Sequence, residues 1–189
     1  MKRILFLGYG PNETILYEVL RNEGCDIQHL EAPVQSLSSQ DLVISFGYRH
    51  KLNAAILATS KRPVINLHMS YLPFNRGAHP NFWAHYDNTP HGVTIHEMDA
   101  HFDTGPIIFQ KLVHFSEKER TFRQRYIRLF QELETLFITN SSFILSGAYT
   151  AKPQNGEGSH HRISDLPKEF SGWDCDIDNE IASLKQKAR

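Results

Sequence analysis

Cysteine is scarce in this chain: Cys25 and Cys175 are the only two in 189 residues, and they lie far apart. Two thiols make no disulfide framework, so the core must hold the fold, and free thiols in a reducing cytosol are the default expectation. Long apolar runs are also missing. No stretch reaches the roughly 18 residues that a transmembrane helix needs. The apolar start Ile4-Leu5-Phe6-Leu7 is too short for a signal peptide before Gly8-Tyr9-Gly10-Pro11 turns the chain. Nor is there an excess of one charge: the formal net charge is -1, which offers no field for nucleic acid. Membrane and nucleic-acid roles are thereby excluded, and a cytoplasmic globular domain is expected.

A third glycine is absent where a dinucleotide fingerprint would need it. After Gly8 and Gly10 that position falls near 13, where Glu13 would turn an acid toward the phosphates. A nicotinamide enzyme is rejected on that ground. Histidine is plentiful, with eleven residues. His91, His96 and His101 recur every five positions, however, which suits joint ligation from neither a helix nor a strand, and no cysteine pair accompanies them. No metal is expected, and His160-His161 reads as a solvated loop pair.

What is present is an ordinary globular composition, 40% hydrophobic and 22% charged, at the length of one domain. Lys2 to Leu7 reads as a buried strand and Asn12 to Glu23 as a helix, with Ile15, Leu16, Val19 and Leu20 on one face. Strands follow over 26–30 and 41–46, a short helix over 53–59, and a strand opened by Pro63. Strands alternating with helices indicate a parallel sheet, whose ligands belong at the carboxyl ends of the strands. Then the pattern changes. Val93 and Ile95 alternate with Thr94 and His96, and a returning strand runs from Ile107 to Phe115. Thr121 and Gln124 have capping-box spacing, and Phe122, Tyr126, Leu129, Phe130, Leu133, Leu136 and Phe137 repeat at helical intervals up to Gly147. Residues 152–168 read as a surface loop, and Asp178 to Ala188 as a terminal helix.

Two polar residues interrupt the apolar strand Pro63 to His68. Asn66 and His68 stand two apart, so both face one side while Ile65 and Leu67 face the other. Alone they would read as a satisfied strand-end pair. Thirty-five positions later, in a loop longer than a tight turn needs, stands Asp103-Thr104-Gly105. An amide, an imidazole and a carboxylate are what transfer of an acyl group to an amine requires.

The blocks Asn66-Leu67-His68-Met69-Ser70-Tyr71-Leu72-Pro73-Phe74-Asn75-Arg76-Gly77-Ala78 and Gly92-Val93-Thr94-Ile95-His96-Glu97-Met98-Asp99, the latter continuing to Asp103-Thr104-Gly105-Pro106-Ile107-Ile108, resemble the 10-formyltetrahydrofolate-dependent formyltransferases. The run Pro80-Asn81-Phe82-Trp83 is most similar to the sugar N-formyltransferases. The resemblance implies an α/β fold, a single Rossmann-like domain with a mostly parallel sheet, a mixed edge and helices on both faces. The catalytic domain would cover 1–168, with a C-terminal extension over 169–189. Asn66, His68 and Asp103 match the family's catalytic positions one by one. The amide and imidazole would donate to an oxygen that gains charge in a tetrahedral intermediate, and Asp103 would orient His68 and accept the amine's proton.

Folate contacts are implied at Tyr48, Arg49, His50, Lys51, Leu52, Asp99 and Phe102. Tyr48 and Leu52 also read as ordinary strand-end and core positions, and Arg49 and Lys51 as either partners of the folate tail or surface charges. Acceptor contacts are implied at Arg76, Gly77, Asn81 and Trp83, the last also a plausible core residue. The implied acceptor is a nucleotide-linked amino sugar such as dTDP-4-amino-4,6-dideoxyglucose, made for a surface glycan such as lipopolysaccharide. A glycinamide ribonucleotide transformylase, a formyltetrahydrofolate deformylase and a non-catalytic folate or nucleotide sensor are the alternatives. Homodimerisation is left open. The region before Asn66 is short for the family and reads as lacking one βα segment.

Overall fold

The structure, a computed structural model, describes residues 1–188. Six strands form the main sheet: β1 (Lys2–Gly8), β2 (Cys25–Leu30), β3 (Leu42–Phe46), β4 (Ile65–His68), β6 (Gly92–Glu97) and β7 (Ile107–Leu112), in the order β2-β1-β3-β4-β6-β7. β1 to β4 are parallel, and β6 and β7 add an antiparallel edge. β5 (Arg76–Gly77) and β8 (His160–His161) pair in parallel as a separate small sheet.

Alternation along the strands sorts residues to the two faces. Ile4, Phe6, Ile44, Phe46, Ile65, Leu67, Val93 and Ile95 pack under α1 (Leu16–Asn22) and α4 (Phe122–Ser146) in one buried cluster. The opposite face holds Leu5, Leu7 and Val43, closed by Leu37, Leu52 and the single turn α2 (Ala54–Leu57). Beyond β3 that second face turns polar, and the candidate site begins there.

α4 starts on the expected capping box: Thr121 Oγ1 accepts from the Gln124 N–H at 3.2 Å, and Gln124 Oε1 accepts from the Thr121 N–H at 3.0 Å. It stops at Gly147, whose φ of 80° is left-handed. α1 is shorter than the sequence pattern suggests. Glu13 folds back to accept the Gly10 N–H at 2.7 Å, and Thr14 is bound to Glu134 of α4 at 2.6 Å, so residues 11–14 form an anchored turn. Ile15 is consequently 54% exposed, and Tyr17 joins Leu16 and Leu20 on the buried face.

A third cluster joins α3 (Pro80–Tyr86), the start of α4 and the C-terminal helix α5 (Ile177–Lys187) through Phe82, Trp83, Phe122, Ile177 and Leu184. The segment read as an extension thus packs on the same unit, apart from residue 189, which lies outside the described residues. Of the pair His160-His161, read as a solvated loop, only His160 is exposed, and neither lies in a loop. The pair forms β8, with the His161 ring stacked 3.8 Å from Trp83 and its Nε2 2.8 Å from Asp87 Oδ2.

Candidate active site

β4 and β6 run antiparallel with Asn66 opposite His96 and His68 opposite Thr94. Ile65, Leu67, Val93 and Ile95 occupy the helix-covered face, so these four polar residues all face the other way. The Asp103 loop, between β6 and β7, folds over them. Its closeness depends on Gly105, where a Cβ would lie 1.8 Å from the Glu97 carbonyl. Asp103 itself has a φ of 54°, a left-handed conformation unusual outside glycine.

The Asp103 carboxylate is the centre of the cluster. Oδ1 accepts from Asn66 Nδ2 at 3.1 Å and stands 3.5 Å from His96 Nε2. Oδ2 accepts from the Gly77 backbone N–H at 2.8 Å and stands 3.7 Å from His68 Nδ1. Burial alone would push its pKa up. The His68 charge, the bond and charge of His96, and the Gly77 N–H outweigh this and hold the carboxyl well below its ordinary range. Of these, the Gly77 donor acts whether or not an imidazole is protonated.

The hydrogen-bond partners define proton positions. His96 Nδ1 lies 2.7 Å from the Glu97 carbonyl, which can only accept, so Nδ1 carries a proton. In the neutral ring Nε2 then accepts from Asn66 Nδ2 at 3.1 Å. With one N–H on His96 and the other on Asp103, the Asn66 amide nitrogen is fully engaged and its orientation fixed. Donation from Asn66 to a reacting oxygen therefore requires one of these bonds to yield. His68 Nε2 is 3.0 Å from the Asn75 carbonyl, so both its ring nitrogens face oxygen acceptors.

The structure brings Asn66, His68 and Asp103 together and adds His96, which the sequence reading placed on a strand and in a family motif without giving it a part in the site. The alternation Thr94/His96 was the signal that could have found it. No comparable signal marks the Asn75 carbonyl or Gln154. Among the described residues no group of three or more His, Cys, Asp or Glu side chains is placed to hold a metal ion.

The other candidate positions divide into two groups. At the carboxyl ends of β1 and β3, where the strand order reverses, an open cleft of about 240 Å³ is lined by Gly8, Tyr9, Glu13, Glu31, Gly47, Tyr48, Arg49 and His50. Lys51 Nζ lies 5.4 Å from the ring of Phe102, which is 53% exposed, so segment 48–52 and the Asp103 loop meet there. Tyr48 donates to the Ala32 carbonyl at 2.9 Å, and Leu52 is buried with only its backbone to offer. Asp99 is taken up by the His101 N–H and the Thr104 hydroxyl, and so shapes the loop. On the other side, Gly77 reaches Asp103 and Arg76 binds Gln154. Asn81 and Trp83 are not brought to the cluster. Both are buried, Asn81 donating to the Phe122 carbonyl at 2.9 Å and Trp83 packing on His161, where they brace α3.

An open, mostly parallel sheet carries an amide, two imidazoles and a carboxylate at a strand end, an α/β arrangement whose groups can accept a proton and donate hydrogen bonds to an oxyanion. The formyl transferase family profile matches residues 9–139, and the chain belongs to that family. It is 35% identical to the formyltransferase PseJ from Anoxybacillus kamchatkensis, whose crystal structure holds UDP-4,6-dideoxy-4-formamido-L-AltNAc and tetrahydrofolate. That likeness covers 93% of this chain and 96% of the other, with a TM-score of 0.87. The dTDP-4-amino-4,6-dideoxyglucose formyltransferase of Mycobacterium tuberculosis is 32% identical over 135 residues, 71% of this chain and 56% of that protein. The chain thus spans little more than half the length of that relative. GDP-perosamine N-formyltransferase of Brucella melitensis is 34% identical over 83 residues, 43% of this chain and 32% of that protein.

Proposed function

We propose that the protein transfers the formyl group of 10-formyltetrahydrofolate to the amine of a nucleotide-linked 4-amino-4,6-dideoxy sugar. The observation that carries this is the convergence of Asn66, His68 and His96 on Asp103. The folate supplies an already activated formyl group, so the chain needs no nucleophilic Ser or Cys. Asp103, an acceptor at both oxygens, takes the proton that the attacking amine sheds. As that charge is neutralised, Oδ1 becomes a weaker acceptor and releases the Asn66 N–H toward the oxygen that gains charge. The tetrahedral intermediate then collapses with cleavage of its bond to folate N10, which takes the proton held by Asp103 and leaves as tetrahydrofolate. His68 supplies a second donor, and such donors each lower a barrier by about 3 kcal/mol. The exposed Phe102 and the cations Arg49 and Lys51 fit the planar rings and the anionic tail of a folate.

The acceptor class rests on the relatives, which name UDP-, dTDP- and GDP-linked sugars. Three different nucleotides among these relatives support the amino sugar, rather than the base, as the common element of the acceptor. Arg76, which has no carboxylate partner among the described residues, suits the diphosphate. The test is incubation with 10-formyltetrahydrofolate and a panel of UDP-, dTDP- and GDP-linked 4-amino-4,6-dideoxy sugars plus phosphoribosyl-glycinamide, with product masses read out. A formylated amino sugar is expected. A formylated glycinamide alone moves the protein to a different acceptor class. Formate release without an acceptor identifies a deformylase, and folate binding without turnover a sensor.

A further inference from the structure

Gln154 lies in a stretch of loop with no marked sequence pattern, yet its side chain spans two parts of the site. Lys152 pairs with Ile107 through two backbone bonds of 2.7 and 2.8 Å, which fixes the loop beside the start of β7. Two residues on, Gln154 Nε2 donates to the carbonyls of Asp103 and Gly105, both at 2.8 Å. Its Oε1 accepts from Arg76 Nε at 3.1 Å and Nη2 at 2.7 Å. Both N–H groups and the oxygen are therefore used, and only one amide orientation works: a flip would set oxygen against two carbonyls and N–H against a guanidinium. The peptide held this way is the one that carries Asp103 in its left-handed conformation, which is unfavourable for a residue with a Cβ unless its surroundings hold it.

We propose that Gln154 is a positioning residue: it clamps the Asp103 loop in its reactive conformation and ties that loop to the Arg76 guanidinium. An anion bound to the free edge of Arg76 also fixes Gln154, so acceptor binding and the placement of Asp103 are coupled. The coupling rests on the function proposed above; the clamp does not.

Gln154→Glu and Gln154→Met test it. The first keeps an acceptor for Arg76 but turns oxygen toward both loop carbonyls; the second removes every bond without adding charge, and stands in should the first fail to fold. Hydrogen exchange of a peptide covering 99–106 should speed up by about tenfold in either variant. The kcat should fall by about 10- to 100-fold, with the KM for folate held within about threefold. A role in stability alone would lower Tm and leave both kcat and the exchange of this loop unchanged below the transition, which overturns the proposal. So does a rise in KM with kcat intact. If the wild-type protein formylates no amine, the proposed function fails, and loop exchange alone decides for or against the clamp.

Discussion

His68 and His96 face each other across Asp103 with ring centroids 6.4 Å apart, while His85 and His91 lie 4.1 Å apart against Phe115, with the Arg125 guanidinium beside them. Around the first pair stand a carboxylate and the carbonyls of Asn75 and Glu97, all acceptors. Around the second, Arg125 Nη1 is 3.2 to 3.3 Å from both nitrogens of the His85 ring, and the buried Nδ1 of His91 has no partner. Burial pushes the pKa of His85 down to about 2, with the charges of His91 and Arg125 adding to the effect. Burial, then Arg125, pushes His91 down to about 4. The same residue type is thus ringed by hydrogen-bond acceptors in one place and kept neutral beside a cation in the other. The local counter-charge decides which, and that is why eleven histidines in a sequence do not identify a site.

The largest expected effect breaks the comparison at its centre. Asp103→Asn keeps the size of the side chain but removes the acceptor charge, and kcat should fall by about 10³-fold or more with the circular dichroism spectrum unchanged. Retention of kcat within tenfold would remove Asp103 from the chemistry. Next, His68→Ala should cost about 10²- to 10³-fold in kcat, while His91→Phe, in the other pair, should stay within about twofold. Equal losses in the two pairs would mean that the contrast has no functional content. His96→Gln keeps an acceptor for Asn66 Nδ2 and should lose less than about tenfold in kcat. His96→Leu leaves that N–H unpaired and should lose several times more. Indistinguishable kinetics for these two variants would show that His96 does not set the Asn66 amide.

Much of the Asp103 cluster was legible in the sequence, though neither histidine pair was, and the gaps have physical causes. Period-two alternation placed Asn66 and His68 on one face, and the long loop before β7 marked Asp103. The change of pattern at Val93 marked the strand pair β6 and β7, and the resemblance supplied the mixed edge that they form. His96 was missed because strand register is a pairing between distant segments, and the sequence offered alternation without the partner. Gln154 and the Asn75 carbonyl act through contacts 51 and 7 residues away that no local pattern encodes. α1 was read too long because apolar spacing cannot show that Glu134, from a helix far along the chain, would capture Thr14. Asn81 was assigned to the acceptor pocket by resemblance and Trp83 to the pocket or the core; in the structure Asn81 bonds the Phe122 carbonyl and Trp83 stacks on His161, away from the Asp103 cluster.

The smallest expected effect is on stability rather than rate, and it has a definite sign. His91 has a folded-state pKa of about 4, below the ordinary value of 6.5, so the unfolded chain binds its proton more readily. Its contribution is fully present above pH 6.5 and is lost as pH falls from there toward 4. Linkage makes the loss about 2 kcal/mol by pH 5. Asp103 shares the sign but not the window: its depressed pKa gives stability that is present above the ordinary carboxyl range and is lost only in stronger acid. Chemical denaturation at pH 7.5 and pH 5 in the wild-type protein and His91→Phe separates the two. The phenyl ring takes no proton and sacrifices no bond at Nδ1, which has none. The variant should therefore lose about 2 kcal/mol less than the wild type between these pH values. Equal losses would mean that His91 is protonated in the folded state at pH 5, and that Arg125 and burial do not keep this second pair neutral.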